Sequence, residues 1–255
     1  MLLIYSYIFI LGLVLGSFYN VVALRVPQSI SIVAPRSACP SCGHTLTATE
    51  LIPVFSFLFQ RGKCRSCRAG ISPLYPAMEL ATAVLFVTAP LLAGWSEDLI
   101  VSWSLISLCS IVFLSDLKYM IIPDKVLAFF LALFIAEVIL LPLNPWWDSL
   151  LGFSVGFFIP FLIILISRGG MGAGDMKFLA VLGVVLGWKL VLLCFMLATF
   201  LGTIIGLAGM FMGKIQRGKP FPFGPFLVAG ALLSHFFGEN MISWYLNSIA
   251  AYFYL

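Results

Sequence analysis

Long apolar runs, separated by short polar breaks, limit this chain to one kind of fold. Hydrophobic residues make up 62% of the sequence and charged residues only 9%, whereas about a quarter of the residues in a soluble domain are charged. A membrane-spanning helix needs about 20 apolar residues. We therefore predict an all-α polytopic membrane protein with about eight transmembrane helices. The predicted spans are 3–24, 77–94, 99–115, 125–142, 149–167, 177–187, 190–212 and 225–237, and residues 241–255 form too short and broken a run to assign.

Basic residues predict how this bundle is oriented, because lysine and arginine accumulate on the cytoplasmic side of short loops. With the N-terminus outside, alternating spans place all of the 14 Lys and Arg residues in the cytoplasm except Lys189. These residues are Arg25, Arg36, Arg61, Lys63, Arg65, Arg68, Lys118, Lys125, Arg168, Lys177, Lys214, Arg217 and Lys219. The net charge of +4 then reflects topology and not affinity for nucleic acid. The first run lacks a basic segment before it and a cleavage site after it, so we expect it to remain as a span.

Four cysteines lie in the one sizeable segment predicted to be outside the membrane, residues 25–76. They form two C-x-x-C pairs, Cys39 with Cys42 and Cys64 with Cys67. This spacing is typical of a four-thiolate zinc site, in which each pair supplies two ligands from one tight turn. Two disulfides are the alternative, but the predicted cytosolic location is reducing. Zinc with four thiolates has no open coordination position, so we expect it to fold the loop and not to catalyse hydrolysis.

Several other polar residues favour structural interpretations. We expect His44 to be a surface residue rather than a metal ligand, and Cys109 and Cys194 to be small buried hydrophobic residues. Glu79 is expected to lie in the first turn of the second span, where the helix dipole stabilises an acid. Glu137 is expected to form a hydrogen bond within the bundle or to extend to the membrane surface. In the first span, the small or polar residues Gly16, Ser17 and Asn20 indicate close helix packing or an interhelical hydrogen bond.

Two aspartates at the ends of apolar runs are the candidate catalytic residues. Asp116 follows the third predicted span, and Asp175 follows a glycine-rich stretch in which Gly172 and Gly174 leave space beside it. Carboxylates among membrane spans are costly and tend to be retained for chemistry or transport. The topology places both at the cytoplasmic face, where a carboxylate pair that shares a proton can activate water and protonate a leaving group. Taken alone, Asp175 could instead cap the next helix.

Asp124 is a third carboxylate near the same predicted membrane face. It follows Pro123 and begins the next span, where a helix N-terminus stabilises an anion. Asp116 instead lies where the negative end of a helix dipole and low-dielectric surroundings disfavour its charge. That environment suits the carboxyl that holds the shared proton. We therefore predict that Asp116 pairs with Asp175 and that Asp124 is a supporting residue; no serine or metalloprotease motif competes, and the two histidines, His44 and His235, are isolated.

Five motifs occur in a recognisable order along nearly the whole chain. They are Gly16 to Val22, the two cysteine pairs, Asp116 ahead of Ile122-Pro123-Asp124, Gly172-Ala173-Gly174-Asp175-Met176-Lys177, and Pro222-Phe223-Gly224-Pro225. This arrangement resembles the type IV prepilin leader peptidases, which are bifunctional peptidase/N-methyltransferases among the GxGD intramembrane aspartyl proteases. The resemblance implies three parts: a first transmembrane helix (1–24), a cytoplasmic zinc-binding loop associated with methyl transfer (25–76) and a transmembrane peptidase core (77–255).

The resemblance also implies a reaction. Asp116 and Asp175 would be the catalytic dyad of an enzyme in the bacterial cytoplasmic membrane that removes short basic leaders from prepilins or pseudopilins. The new N-terminal residue, often phenylalanine, would then be N-methylated from S-adenosylmethionine, in support of a pilus, a type II secretion pseudopilus or a DNA-uptake pseudopilus. No G-x-G-x-x-G motif after a strand marks a binding site for S-adenosylmethionine, so this cofactor rests on the resemblance alone.

Two other classes of function remain open from the residues themselves. In a proton-coupled transporter, Asp116 and Asp175 would be relay carboxylates, but such proteins usually have inverted repeats with matching broken helices, and none is evident. In a zinc-loop membrane scaffold without catalysis, the aspartates would only cap helices. Cleavage of a prepilin distinguishes the peptidase from both.

Overall fold

The computed structural model describes residues 1–167, 170–213 and 221–253, so Arg168, Gly169 and the basic residues of the segment 214–220 lie outside the described residues. The described chain is helical, with two isolated β-bridges and no longer strand. Its α-helices are α1 (Leu2–Arg25), α2 (Phe55–Phe59), α3 (Leu74–Leu92), α4 (Asp98–Tyr119), α5 (Asp124–Leu140), α6 (Asp148–Ser167), α7 (Ala173–Phe211) and α8 (Gly224–Phe253).

Five of these helices, α1, α3, α4, α6 and α7, are long and apolar enough to cross a membrane. Each long helix overlaps a predicted span, which confirms the all-α membrane fold. The two spans predicted on either side of Trp188 correspond to the two parts of α7, which is interrupted at Gly187. One boundary differs clearly from the prediction, because α8 continues well beyond the predicted end at 237.

A break at Gly187 divides α7 into two parts. The element has 39 residues and would be about 58 Å long as a straight helix, roughly twice the thickness of the hydrocarbon core. Gly187 has φ 72° and ψ 174°, a conformation that is accessible to glycine but not to residues with a side chain. The break leaves the N–H of Trp188 without a helical partner, and Asp148 of α6 accepts it through Oδ1 at 3.3 Å. One carboxylate from a neighbouring helix thus caps the second part of α7.

The first part of α7 lies unusually close to α6. A Cβ atom built on Gly183 would overlap the carbonyl oxygen of Gly152, and a Cβ atom on Gly152 would overlap that of Gly183. Small residues allow this approach, which is a common way of packing helices in membranes, where lipid provides no hydrophobic drive for association.

We expect Gly183→Ala to destabilise the protein by about 1–3 kcal/mol, because the added methyl group forces these two backbones apart. Gly206→Ala is the matched control on the same helix, since no atom lies within 4 Å of a Cβ atom built there, and it should leave stability unchanged or slightly raised. Thermal unfolding in detergent measures both variants. Equal melting temperatures for the two would show that the α6–α7 contact does not need glycine.

Helix α1 packs against α3 in the same manner. A Cβ atom on Gly16 would lie 2.9 Å from the Cα atom of Glu79, and the side chain of Asn20 donates a hydrogen bond to the carbonyl oxygen of Tyr75. Both features predicted for the first span, close packing and an interhelical hydrogen bond, are therefore confirmed.

Helix α4 is central, because it contacts α1, α3, α5 and α8, and its residues Leu105 and Val112 are fully buried.

Candidate active site and metal centre

Asp116 lies in the last turn of α4 and is 5% exposed. Its Oδ2 accepts a hydrogen bond of 2.7 Å from the backbone N–H of Gly224, the first residue of α8. Helix α4 ends at Tyr119, and the next residue, Met120, adopts a left-handed conformation and donates its N–H to the carbonyl oxygen of Asp116. The turn is held further by Ser115, whose hydroxyl donates to the carbonyl oxygen of Ile121 at 2.6 Å. The position of the Asp116 carboxyl is thus defined by both α4 and α8.

Asp175 lies in the first turn of α7 and is 9% exposed. The glycines that precede it allow close contacts. A Cβ atom on Gly172 would lie 3.0 Å from Oδ2 of Asp175, and one on Gly174 would lie 3.3 Å from the Cβ atom of Ile122. Gly174 therefore lets the start of α7 pack closely against the connection between α4 and α5, and Gly172 leaves room for the carboxyl of Asp175.

The two buried aspartates lie near each other, where the C-terminal end of α4 and the N-terminal ends of α7 and α8 come together. Their carboxyl groups are close enough that a negative charge on Asp116 acts on Asp175. Since two like charges at short range oppose each other, such a pair is favoured when it shares one proton. The structure thus brings together two residues that are 59 positions apart in the sequence.

Asp124 differs from both buried aspartates. It begins α5 and lies in the first turn of that helix, as predicted. Both of its carboxylate oxygens accept hydrogen bonds from Nζ of Lys177, at 2.8 and 2.9 Å. The side chains are 70% and 47% exposed, for Asp124 and Lys177 respectively, so the ion pair contributes at most about 1 kcal/mol. It connects the start of α5 to the start of α7 beside the aspartate pair.

A cavity of about 1000 Å³ lies between α1, α4 and α5. Its lining is mostly apolar and includes Phe18, Trp103, Ser107 and Phe130. Ser107 precedes Asp116 by nine residues, which is a rotation of about half a turn around the axis of α4. The cavity and the aspartate pair are therefore on opposite faces of that helix.

The four cysteines of the loop form a cluster that can hold a metal ion, with all four Sγ atoms within 4.8 Å of one another. The Sγ atoms of Cys39 and Cys67 are 3.8 Å apart, and those of Cys42 and Cys64 are 4.0 Å apart. Tetrahedral coordination at a Zn–S distance of about 2.3 Å requires sulfur atoms about 3.8 Å apart. No disulfide joins any of these thiols, so the donor set and its spacing fit the predicted zinc site.

Each cysteine pair forms the same tight turn. The N–H of Gly43 donates to the carbonyl oxygen of Cys39 at 2.9 Å, and the N–H of Arg68 donates to that of Cys64 at 3.0 Å. Gly43 has φ 71° and Arg68 has φ 61°, so the arginine adopts the left-handed conformation that glycine adopts in the first turn. The backbone N–H groups of Ser41 and Cys42 lower the pKa of the Cys39 thiol, which favours the thiolate that a metal binds. Although a hydrogen bond from the backbone of His44 lowers the pKa of the Cys42 thiol, the neighbouring thiols outweigh it, so that this pKa is raised.

Glu50 stabilises the loop and was not identified from the sequence. It is buried, and it accepts hydrogen bonds from the backbone N–H and the hydroxyl of Thr47 at 2.9 and 2.8 Å. The side chain of His44 lies 3.2 Å from the same oxygen. These contacts with Thr47 and then His44 lower the pKa of Glu50 to about 2. The spacing T-x-x-E is that of a capping box, so a search for caps within the loop would have found it. His44 lies outside the four-cysteine cluster, and it is half-buried against Glu50 rather than free at the surface.

Glu79 has a different role from the predicted one. Helix α3 begins at Leu74, five residues earlier, and has no acid in its first turn, so the expected stabilisation by its dipole is wrong. Instead, Oε2 of Glu79 accepts a hydrogen bond of 2.8 Å from the backbone N–H of Val54. Val54 immediately precedes α2, and this contact therefore connects the cysteine loop to the membrane helices.

The remaining polar residues agree with their structural interpretations. Glu137 is buried within the bundle and accepts a hydrogen bond from the hydroxyl of Ser104. Cys109 and Cys194 are almost completely buried. The segment Pro222 to Pro225 was noted as a motif without a role, and the contact between Gly224 and Asp116 now places it at the aspartate pair.

These features define a class, the multi-pass membrane proteins that combine a buried aspartate pair with a four-cysteine cluster. Residues 10–92 match the Bacterial Peptidase A24 N-terminal domain, and residues 103–207 match the Type IV leader peptidase family. The chain belongs to the type IV leader peptidase family.

Three relatives match over most of their length. A prepilin leader peptidase/N-methyltransferase from Bacillus subtilis (strain 168) is 44% identical over 242 residues, covering 95% of this chain and 98% of the relative. A protein of the same name from Aeromonas salmonicida (strain A449) is 32% identical, covering 97% and 95%. Another from Burkholderia pseudomallei (strain K96243) is 33% identical, covering 91% and 85%. No solved structure gave a significant match.

Proposed function

We propose that this protein cleaves the leader peptide from type IV prepilins or pseudopilins and then N-methylates the new N-terminal residue. The observation that carries the proposal is the meeting of Asp116 and Asp175 in a chain of the type IV leader peptidase family. The names of the relatives include both activities. A proton-coupled transporter would also use buried carboxylates, but family membership favours the peptidase.

Hydrolysis by this pair needs neither a metal nor a covalent intermediate. With one proton shared between the carboxyls, the ionised group accepts a proton from water as the water attacks the scissile carbonyl. The protonated group donates to the leaving nitrogen. The N–H of Gly224 fixes the orientation of Asp116 before substrate binds, and a preorganised donor of this kind lowers the cost of reaching the transition state.

The position of the two aspartates suits a substrate that has a basic leader followed by an apolar helix. Asp116 and Asp175 lie at helix ends rather than at the middle of a span. We propose that this end of the bundle faces the bacterial cytoplasm, because the predicted topology collects lysine and arginine there. A basic leader would then remain in the cytosol while the apolar pilin helix occupies the bilayer, and the bond between them would lie at the depth of the aspartates.

For the loop, we propose that Cys39, Cys42, Cys64 and Cys67 bind one zinc ion. Four thiolates leave the metal no open position, so it stabilises the fold of the loop and takes no part in hydrolysis. S-adenosylmethionine is the proposed methyl donor, and no set of residues in this chain is assigned to bind it. The proposed partners are therefore the prepilin, the methyl donor and the surrounding lipid, with no nucleic acid.

One assay tests both activities. Purified protein in vesicles should shorten a prepilin at the end of its leader, and S-adenosylmethionine with a labelled methyl group should then label the shortened product but not the precursor. A transporter or an inactive scaffold would leave the prepilin intact, which would overturn the proposal. Cleavage without any labelling would retain the peptidase and remove the methyltransferase.

We expect Gly224→Ala to reduce cleavage by about 100-fold, because displacing a catalytic group by about 1 Å has an effect of this order. The added Cβ atom would lie 2.7 Å from Oδ2 of Asp116, so the carboxyl must move. Gly230→Ala is the matched control: it lies on the same helix and meets the backbone of Cys194, so it affects packing without touching Asp116. Turnover per folded molecule measures the difference, and a shifted pH profile for Gly224→Ala alone would separate positioning from misfolding. Equal turnover of the two variants would contradict the role of Gly224.

The proposed orientation predicts which positions can be labelled from outside intact cells. A cysteine at Ser37 in the loop should not react with a membrane-impermeant maleimide, whereas a cysteine at Glu97, in the exposed connection between α3 and α4, should react. Permeabilised cells provide the control for reactivity at Ser37. Strong labelling of Ser37 in intact cells would reverse the topology and move the aspartate pair to the other face.

A further inference from the structure

Five large apolar side chains on and before α2 are exposed although they belong to the cysteine loop. Exposed fractions are 41% for Leu51, 47% for Ile52, 52% for Phe55, 62% for Leu58 and 85% for Phe59. Phe55, Leu58 and Phe59 are three and four residues apart and share one face of α2, and Leu51 and Ile52 lie just before that helix. Within the described residues, α2 has no buried position. An apolar face of this kind marks a surface that contacts a partner or a membrane.

The hydrogen bond to Glu79 fixes the depth of this face. Glu79 lies five residues after the start of α3, a distance of about 7 Å along the helix axis. Its side chain slants back toward the start of the helix, and its carboxylate accepts the N–H of Val54 at 2.8 Å. Helix α2 therefore begins level with the first turns of α3, and not beyond the N-terminal end of that helix. That level is the boundary between headgroups and acyl chains if α3 spans the bilayer.

The packing of α1 against α3 agrees with this placement. Gly16 meets Glu79, and it lies nine residues before Arg25 at the end of α1, about 13 Å along the axis. The residues that lie level with the start of α2 are thus well inside a membrane-spanning helix rather than at its end.

Charge around this face favours lipid as the occupant. Exposed Arg61, Lys63 and Arg65 follow α2 directly, and the segment from Leu51 to Met78 contains no aspartate or glutamate. Apolar side chains followed by basic residues are the pattern of helices that lie in the membrane interface and contact anionic headgroups. The opposite side of α2 packs within the loop, where Phe57 contacts the backbone at Gly62.

We propose that the segment from Leu51 to Phe59 is inserted into the lipid interface, where it anchors the four-cysteine loop to the bilayer surface beside α3. The loop is then held by three attachments: its two ends in α1 and α3, and this apolar face between them. The proposal does not depend on the catalytic role of Asp116 and Asp175.

Site-specific photo-crosslinking tests the insertion. p-Benzoylphenylalanine replaces Phe59 in one protein and Leu58 in a second, and each is reconstituted in vesicles of phosphatidylethanolamine and phosphatidylglycerol. The control carries the same group at Arg65, which is also exposed but lies between the cysteines of the second pair. After irradiation, mass spectrometry should find on the order of tenfold more lipid adduct at Phe59 and Leu58 than at Arg65, because the apolar group favours lipid contact.

Phe59 is so exposed that the substitution should not disturb folding, and an unchanged elution profile and metal content verify this for every variant. Equal lipid adducts at Phe59 and Arg65 would overturn the proposal. Adducts to a second copy of the chain, or to an added prepilin in preference to lipid, would identify a protein-binding surface and would also overturn it. Prepilin cleavage by the same preparation is scored separately, so failure of insertion and failure of the peptidase proposal are distinguishable.

Discussion

Asp116→Asn and Asp175→Asn should each reduce prepilin cleavage by about 10²–10⁴-fold, the range that general acid–base catalysis contributes. An amide has nearly the shape of a carboxyl but cannot accept a proton from water, so either change removes one half of the pair. Both side chains are less than 10% exposed, and asparagine keeps a hydrogen-bond acceptor for the N–H of Gly224. Cleavage in membranes, corrected for the amount of protein, is the measurement.

Asp124→Asn is the matched control for these variants. Asp124 is 70% exposed and is paired with Lys177, so its loss should affect stability by at most about 1 kcal/mol and leave substantial cleavage. Full activity of Asp116→Asn together with an inactive Asp124→Asn would show that Asp124, and not Asp116, is the partner of Asp175. Full activity of Asp175→Asn would rule out an aspartate pair altogether.

Replacement of Cys39 or Cys64 by serine should remove the metal from a protein that otherwise carries about one zinc per chain. The effect on the loop should be large, because the apparent free energy of zinc binding in small structural sites is about 10–16 kcal/mol and is coupled to folding. We expect these variants to lose methylation or cellular abundance before they lose cleavage, since the aspartate pair is formed by α4, α7 and α8 and not by the loop.

Elemental analysis of the purified protein checks the metal content. Cys109→Ser is the matched control, because Cys109 is a buried thiol within α4 that lies outside the cluster, and the variant should retain zinc. Wild-type protein without metal, or Cys64→Ser protein with an unchanged zinc content, would contradict a four-cysteine site.

The sequence alone was sufficient to predict the membrane fold, the approximate spans and the cysteine cluster. Each of these depends on properties of one segment: hydrophobicity over about 20 residues determines a span, and the two residues between paired cysteines determine a metal-binding turn. Asp116 and Asp175 could be selected for a related reason. Charge is costly in a membrane, so an aspartate at the end of an apolar run stands out, and alternating spans place the two at the same face.

Contacts between distant segments were decided only by the tertiary structure. Gly224 is 108 positions from Asp116, and nothing in the local pattern of either residue indicates that one donates to the other. Asp148 is 40 positions from Trp188, so the break in α7 and its cap depend on how α6 packs. Glu79 was assigned to its own helix because a sequence shows neighbours along the chain and not across the bundle. A buried hydrogen bond needs a partner, but only the arrangement of the helices determines which group supplies it.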